Sequence, residues 1–129
     1  MSSTPVSPVP PGDVLIVEDH ALAADALRLM LETWGYRVRI APTAAAALQA
    51  CAERPADLML LDLTLPDGNG LDVLAEATAT GTAPRVTVAL TGHDDPAVAD
   101  RCRRAGCTAV LIKPIAPREL VGRVPHWLR

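Results

Sequence analysis

Four short apolar runs of this sequence are each followed by side chains that could take part in chemistry. These side chains are the pair Glu18 and Asp19, then Asp62, Thr91 and Lys113. Carboxylates crowded together repel one another and shift toward their neutral forms unless a cation neutralises them. Oxygen ligands with room left for water suit Mg²⁺, and no histidine or cysteine joins the group to favour zinc. The pattern therefore predicts a Mg²⁺ site.

The same residue types also indicate a reaction. A carboxylate beside Mg²⁺ can attack a phosphoryl group and form an acyl phosphate, whose oxygens are stabilised by the metal, a lysine ammonium and a hydroxyl. Lys113 fits this role because it is the only lysine among twelve basic residues. Each residue alone also has an ordinary structural explanation, such as a turn starter or a helix cap. The prediction depends on four strand ends carrying suitable groups together.

The elements that must position these residues follow from the apolar pattern. Short apolar runs predict strands at 14–17, 38–40, 58–61, 86–90 and 109–112. Several of these runs are continuously apolar, which is typical of parallel strands covered on both faces. Helical spacing and boundary signals predict helices over 21–33, 44–53, 71–79, 96–105 and from 117 onward. The alternation predicts a three-layer α/β/α sandwich with a five-stranded parallel sheet, which binds ligands at the carboxyl ends of its strands.

Two of these helices carry more specific expectations. In the first, Leu22, Ala26, Leu29 and Met30 are predicted to form one apolar stripe. In the last, Pro125 cannot donate a backbone hydrogen bond and restricts the residue before it. We therefore expect the last helix to be short.

Length and composition indicate one globular domain. The chain has 129 residues, of which 1–12 are proline-rich and predict a flexible tail before a domain at 13–129. A net charge of −3 gives no basic field for direct binding of nucleic acid or a membrane surface, and no apolar run is long enough to span a bilayer. Three cysteines, without metal-ligand spacing, disfavour a disulfide framework and favour a cytoplasmic protein.

Four motifs together resemble the receiver domain of two-component response regulators. They are VLIVEDH at 14–20, LLDLTLPDGNG at 60–70, ALTG at 89–92 and AGCTAVLIKP at 105–114. The resemblance extends from residue 13 to about residue 123, and its specificity comes from the order and spacing of the motifs. It implies a flavodoxin-like fold with strand order 2-1-3-4-5. It also implies phosphorylation on an aspartate by a sensor histidine kinase or a phosphotransfer protein.

The resemblance assigns a role to each acidic residue by position. Asp62 matches the phosphoacceptor, Asp19 matches a direct Mg²⁺ ligand, and Glu18 matches a neighbour that acts through water. Thr64 matches the position whose backbone carbonyl binds the metal. The implied metal set is therefore Glu18, Asp19, Asp62 and Thr64.

The resemblance also identifies a switch, and here the sequence departs from the family. Thr91 matches the hydroxyl that follows the phosphoryl group, and Lys113 matches the cation that pairs with it. Val110 stands where relatives often have an aromatic ring that turns inward, and Ile115 stands where phenylalanine is frequent. Because valine has no ring to redirect, we expect activation to act mainly through the loop after Thr91 and the helix at 96–105.

Two other functional classes remain open at this point. Phosphatases of the haloacid dehalogenase type also form an aspartyl intermediate, but they carry a second acid two residues after the nucleophile, where this chain has Thr64. A scaffold or interaction module that does not depend on phosphorylation is the other alternative, and Val110 favours it. Met1 favours a complete single-domain regulator, whereas the proline-rich start resembles an interdomain linker. The sequence names neither the kinase nor the downstream protein target.

Overall fold

The structure, a computed structural model, describes residues 12–129. Most of the predicted flexible tail, 1–11, lies outside the described residues. Gly12, its last residue, is buried, and its carbonyl accepts a hydrogen bond from the backbone N–H of Arg37. The folded region therefore includes one residue that the prediction placed in the tail.

Five parallel strands form the central sheet, and a short antiparallel hairpin lies beside it. In chain order the strands are β1 (Asp13–Val17), β2 (Arg37–Ala41), β3 (Leu58–Asp62), β4 (Thr64–Leu65), β5 (Gly68–Asn69), β6 (Val86–Thr91) and β7 (Ala109–Ile112). The sheet has the order β2-β1-β3-β6-β7, and β4 pairs with β5. The five predicted strands correspond to β1, β2, β3, β6 and β7, and their predicted order, 2-1-3-4-5 when only these strands are counted, is confirmed. The hairpin of β4 and β5 was not predicted.

Five helices cover the two faces of the sheet. They are α1 (Ala21–Thr33), α2 (Ala44–Glu53), α3 (Gly70–Ala79), α4 (Pro96–Ala105) and α5 (Pro117–Trp127). Buried residues of α1 and α5 pack with one face of β1 and β3, and buried residues of α2, α3 and α4 pack with the other. All five residues of β1 and of β3 are buried, as expected for strands between two helical layers. The three-layer α/β/α sandwich is thus confirmed.

The apolar stripe predicted for α1 is wrong. Leu22 is 78% exposed and Leu29 is 57% exposed, whereas Ala24, Leu27 and Leu31 face the sheet. Because α1 carries apolar residues around most of its circumference, spacing alone did not distinguish the face that packs. The buried face is the one that meets β1 and β3 in the core.

The last helix is longer than predicted. It runs for 11 residues and contains Pro125 near its end. Pro125 removes only its own donor, and the backbone N–H of Leu128 still donates to the carbonyl of Val124 at 3.0 Å. Leu120, Val121 and Val124 are buried against the sheet, which stabilises this helix. Among residues 12–129, no helix is long and apolar enough to cross a membrane.

Candidate functional site

The acidic residues meet because the two central strands end side by side. In β1 and β3, Val17 is the register partner of Leu61, so Glu18 and Asp62 follow neighbouring strand ends. One carboxylate oxygen from each of Glu18, Asp19 and Asp62 lies within 4.8 Å of the other two. Glu18 and Asp62 are buried, whereas Asp19 is exposed. The predicted acidic cluster is therefore present, and one of its members is open to solvent.

Lys113 reaches this cluster from the end of β7. Its Nζ donates to Oε1 of Glu18 and to Oδ2 of Asp62, both at 2.9 Å. Its backbone N–H donates to the carbonyl of Thr91 at 2.7 Å, which holds the end of β7 against the end of β6. One ammonium thus pairs with two of the three carboxylates, and the cluster keeps an excess of negative charge.

The pKa values reflect this crowding. Burial raises the pKa of the Glu18 carboxyl above its ordinary value, and the Asp62 carboxylate adds to the rise against the opposing effect of Lys113. Burial alone would lower the pKa of Lys113, but its hydrogen bonds to Glu18 and Asp62 outweigh that effect and raise it. The lysine is therefore protonated at neutral pH. A further cation at the cluster would oppose the rise in the pKa of Glu18.

The chain after Asp62 is folded closely around this carboxylate. The backbone N–H of Thr64 donates to Oδ1 of Asp62 at 3.0 Å, and the N–H of Gly70 donates to the carbonyl of Leu63 at 2.9 Å. A Cβ atom at Gly70 would overlap the backbone carbonyl of Asp62. Only glycine permits this approach, so the start of α3 fixes the backbone of the predicted phosphoacceptor.

A cavity of about 770 Å³ opens over the cluster. Of the six predicted site residues, five line it: Glu18, Asp19, Asp62, Thr64 and Lys113. Apolar side chains from α1, β6 and the start of α5 form its opposite wall, among them Leu27, Leu90 and Leu120. The structure thus brings the acids, the lysine and the loop after β3 to one opening.

Thr91 is placed differently from the other five residues. Its side chain is buried, and its hydroxyl oxygen accepts a hydrogen bond from the backbone N–H of His93 at 3.1 Å. The residues that follow it, Gly92 and His93, line the cavity. Val110 lies in a second groove, between α4 and β7. The hydroxyl is therefore near the acidic edge but engaged with its own loop.

Asp67 has a contact near the site that the sequence did not predict. Its carboxylate accepts hydrogen bonds from the first turn of α2. In the sequence, Asp67 stands among the proline and glycine residues of the motif at 60–70, which indicate only a turn. Its contact joins segments about twenty residues apart, and no short-range signal in the sequence predicts such a pairing.

The donor set of this site fits a hard divalent cation. Glu18, Asp19 and Asp62 offer carboxylate oxygens at one point, and the cavity above them leaves room for water or a phosphoryl group. Their excess negative charge over the single ammonium of Lys113 also favours a cation. The three cysteines are free and buried, and none of them belongs to this group.

Comparison with known proteins places this geometry in a family. A model of the response regulator receiver domain matches residues 14–125. The transcriptional regulatory protein KdpE of Mycobacterium tuberculosis is 37% identical over 116 residues, which is 90% of this chain and 50% of that protein. The chain thus spans about half the length of the curated relatives it matches.

Solved structures agree with this result. A CheY-like receiver domain protein from Methanospirillum hungatei has a TM-score of 0.82 and 30% identity, covering 90% of this chain and 92% of that one. A response regulator protein from Burkholderia pseudomallei, described with a phosphorylated aspartic acid, a calcium ion and citrate, has a TM-score of 0.77 and 26% identity. That match covers 87% of this chain and 65% of that one. The chain belongs to the receiver domain family of two-component response regulators, which act in phosphorelay signal transduction.

Proposed function

We propose that this domain accepts a phosphoryl group on Asp62, from a sensor histidine kinase or a phosphotransfer protein, in a reaction that requires Mg²⁺. The observation that carries the proposal is the Asp62 carboxylate itself, which is buried at the end of β3 between two other acids and Lys113. The Burkholderia relative, described with a phosphorylated aspartic acid and a calcium ion, supports phosphorylation of an aspartate in a domain of this fold.

Glu18, Asp19, Asp62 and the backbone carbonyl of Thr64 are the residues that would hold Mg²⁺. When bound, the metal supplies positive charge that lowers the repulsion between the acids and an incoming phosphoryl group. Glu18 is bonded to Lys113 and is buried more deeply than Asp19. This arrangement is consistent with Asp19 as a direct ligand and Glu18 as a residue that acts through water.

The proposed reaction transfers a phosphoryl group from a histidine of the donor to Asp62. A carboxylate oxygen of Asp62 attacks the phosphorus of a phosphohistidine, the P–N bond breaks, and the imidazole nitrogen keeps the electron pair. The product is an acyl phosphate on Asp62, with Lys113 donating to a phosphoryl oxygen. Attack of water on phosphorus later releases inorganic phosphate and restores the carboxylate. The domain thus modifies only itself and has no separate turnover substrate.

The switch requires a new contact of Thr91. Its hydroxyl oxygen accepts from the N–H of His93, and its O–H would donate to a phosphoryl oxygen. Because a ligand shifts an equilibrium only through contacts that differ between the two states, this new contact would move the loop that leads into α4. The downstream target is a protein of unknown identity. We place no nucleic-acid contact in this domain, since the chain has a net charge of −3.

Intact-mass measurement after incubation with Mg²⁺ and acetyl phosphate tests the proposal. Wild type should gain the mass of one phosphoryl group, and Asp62→Ala should gain none. Asp72→Ala is the matched control, because it removes an exposed carboxylate from the first turn of α3. A phosphoryl adduct of equal yield in Asp62→Ala would contradict the assignment.

A scaffold that works without phosphorylation is the second candidate, and Val110 is the observation that favours it. Its side chain is half-buried in the groove between α4 and β7, where the resemblance implies an aromatic ring. Partner binding that is the same for wild type, phosphorylated protein and Asp62→Ala would support the scaffold. Binding that changes on phosphorylation would support the phosphoaccepting domain.

A further inference from the structure

Asp67 connects the loop of the candidate site to a helix on the face of the sheet. It lies in the turn between β4 and β5, and both of its carboxylate oxygens point to the start of α2. Its Oδ1 accepts from the backbone N–H of Ala44 at 2.7 Å, and its Oδ2 accepts from the N–H of Ala45 at 3.1 Å. The next N–H, that of Ala46, donates to the side chain of Thr43.

This contact satisfies backbone groups that a helix cannot satisfy by itself. The first N–H groups of any α-helix have no partner within the helix, and they carry partial positive charge. Here one residue from a distant loop satisfies two of them. The hydrogen bonds from Ala44 and Ala45 hold the pKa of the Asp67 carboxyl below its ordinary value, so this group is ionised at neutral pH.

The other end of the same loop is attached to the phosphoacceptor. The N–H of Thr64 donates to Oδ1 of Asp62, and Thr64 pairs with Asn69 across the hairpin. Between these points, the side chain of Leu65 is buried in the cluster that includes Ala47 of α2. The hairpin is therefore attached to the site through Thr64 and to α2 through Asp67, while Leu65 is buried in the core and Gly70 continues the chain into α3.

α2 is a fixed support for this loop because its buried face packs on the sheet. Ala47 and Cys51 are fully buried in the same cluster as Leu15 and Val17 of β1. Without Asp67, the tip of the hairpin would have no hydrogen bond to α2. The two hydrogen bonds of Asp67 fix both the orientation of the hairpin and its distance from α2. The residue of the hairpin whose orientation matters most is Thr64.

We propose that Asp67 is a positioning residue for the phosphorylation site, which holds the β4–β5 hairpin on α2 so that Thr64 keeps its backbone carbonyl at the metal position. This inference rests on the proposed function, because it assigns Thr64 a role toward Mg²⁺. The hydrogen-bond partners of Asp67 are in α2 and not at the phosphorylation site, so Asp67 acts on the site through the hairpin.

Magnesium titration followed by amide chemical shifts is the first test, with all variants compared under conditions where they are folded. Residues that orient metal ligands typically change metal affinity by about tenfold or more when replaced, and Asp67→Ala should weaken Mg²⁺ binding by about tenfold. Asp67→Asn keeps one acceptor oxygen and should lie between Asp67→Ala and wild type. Asp72→Ala removes the same charge without touching the hairpin contact and should bind like wild type.

Amide hydrogen exchange in the absence of metal is the second test. The Thr64 amide should exchange several-fold faster in Asp67→Ala than in wild type or Asp72→Ala, because its hydrogen bond to Asp62 depends on the attached hairpin. A change of stability alone would alter amides throughout the sheet equally. An effect confined to the hairpin and the first turn of α2 is therefore the signature of a positioning role.

The outcomes separate this inference from the function on which it rests. If Asp67→Ala binds Mg²⁺ as wild type does and its Thr64 amide is equally protected, the inference is wrong while the proposed function stands. If wild type itself fails to bind Mg²⁺, the metal requirement of the proposed function is wrong. The exchange of the Thr64 amide would in that case still decide whether Asp67 positions the hairpin.

Discussion

The two ends of β1 both carry acidic residues, but these residues have opposite surroundings. At the amino end, the buried carboxylate of Asp13 lies between the guanidinium groups of Arg39 and Arg54. At the carboxyl end, Glu18 and Asp62 share the ammonium of Lys113, and Asp19 lies beside them as a third acid. The strand is only five residues long, so two ion clusters of different balance lie a short distance apart on one element.

The amino-terminal cluster is complete without any addition. Arg39 and Arg54 donate to different oxygens of Asp13, at 3.3 and 2.8 Å, and Arg39 also donates to the carbonyls of Ala50 and Arg54. The backbone N–H of Asp13 donates to Asp57. These bonds connect β1, β2 and the end of α2. Each charge here has a partner, and the cluster therefore stabilises the fold.

The carboxyl-terminal cluster has the opposite excess of charge. Three acids around one lysine leave negative charge that the described residues do not neutralise, and a cavity opens above it. Such an arrangement costs stability unless a cation binds. An excess of acids over the cations around them, more than the presence of acids, therefore distinguishes this candidate functional site from the structural cluster around Asp13.

Removal of Asp13 should have the largest effect on stability. Asp13→Ala leaves two guanidinium groups without their carboxylate. Because the side chains of Arg39 and Arg54 are 21% and 53% exposed, we expect a cost of about 2 kcal/mol in the free energy of unfolding, below that of a fully buried pair. Asp25→Ala, which breaks an exposed pair with Arg28 on α1, should cost less than about 1 kcal/mol. Urea unfolding measures both. Equal losses for the two variants would show that the amino-terminal cluster contributes no more than a surface pair.

At the other end of β1, removal of a charge should reduce metal binding and leave stability intact. Asp19→Asn takes away the exposed carboxylate that we propose as a metal ligand, which is also one of three mutually repelling acids. We expect its affinity for Mg²⁺ to fall by at least about tenfold, equivalent to about 1.4 kcal/mol. Its free energy of unfolding without metal should be unchanged or higher. Calorimetric titration and urea unfolding give the two values, and unaltered Mg²⁺ affinity would refute the assignment of Asp19.

Lys113→Met should show how much the single ammonium stabilises the excess of negative charge among the three acids. Loss of this cation leaves Glu18 and Asp62 with no partner of opposite charge in the cluster, and solvent access to the site keeps the expected cost at about 1 kcal/mol. Saturating Mg²⁺ should restore part of this loss, since the metal supplies the missing charge. Arg118→Met, on an exposed residue of α5, is the matched control. A variant that binds Mg²⁺ and is phosphorylated but shows wild-type phosphorylation-dependent shifts would exclude a switch role for Lys113.

The smallest expected effect is conformational. Beryllofluoride, which mimics the acyl phosphate, should change the amides of residues 91–105 more than those of 109–123, because Val110 has no ring to turn inward. Amide chemical shifts with and without the mimic provide the measurement. Val110→Tyr should extend the changes toward 109–123. Larger changes around Val110 than around Thr91 in wild type would mean that the signal leaves the site through residues 109–123 and not through residues 91–105.

The central sheet and most of the candidate site could be predicted because their signals are local. Most of the strands contain a continuous apolar run, and Glu18, Asp62 and Lys113 follow such runs directly, so sheet topology alone brings them to one edge. The exposure of Leu22 and Leu29 could not be predicted, since the packing face of a largely apolar helix is chosen by its neighbours. The same holds for the contact of Asp67 with α2, which depends on how two distant segments pack.

The solitary lysine has a practical consequence for anyone who labels this protein. Amine-reactive esters acylate neutral amines, and Lys113 offers the only side-chain amine in the sequence. Its two carboxylate partners keep it protonated and therefore slow to react. A cation that competes for those carboxylates would release the amine and accelerate its acylation. Peptide mapping, which separates this product from labelling at the chain terminus, would turn one residue into an internal reporter of whether the acidic edge is occupied.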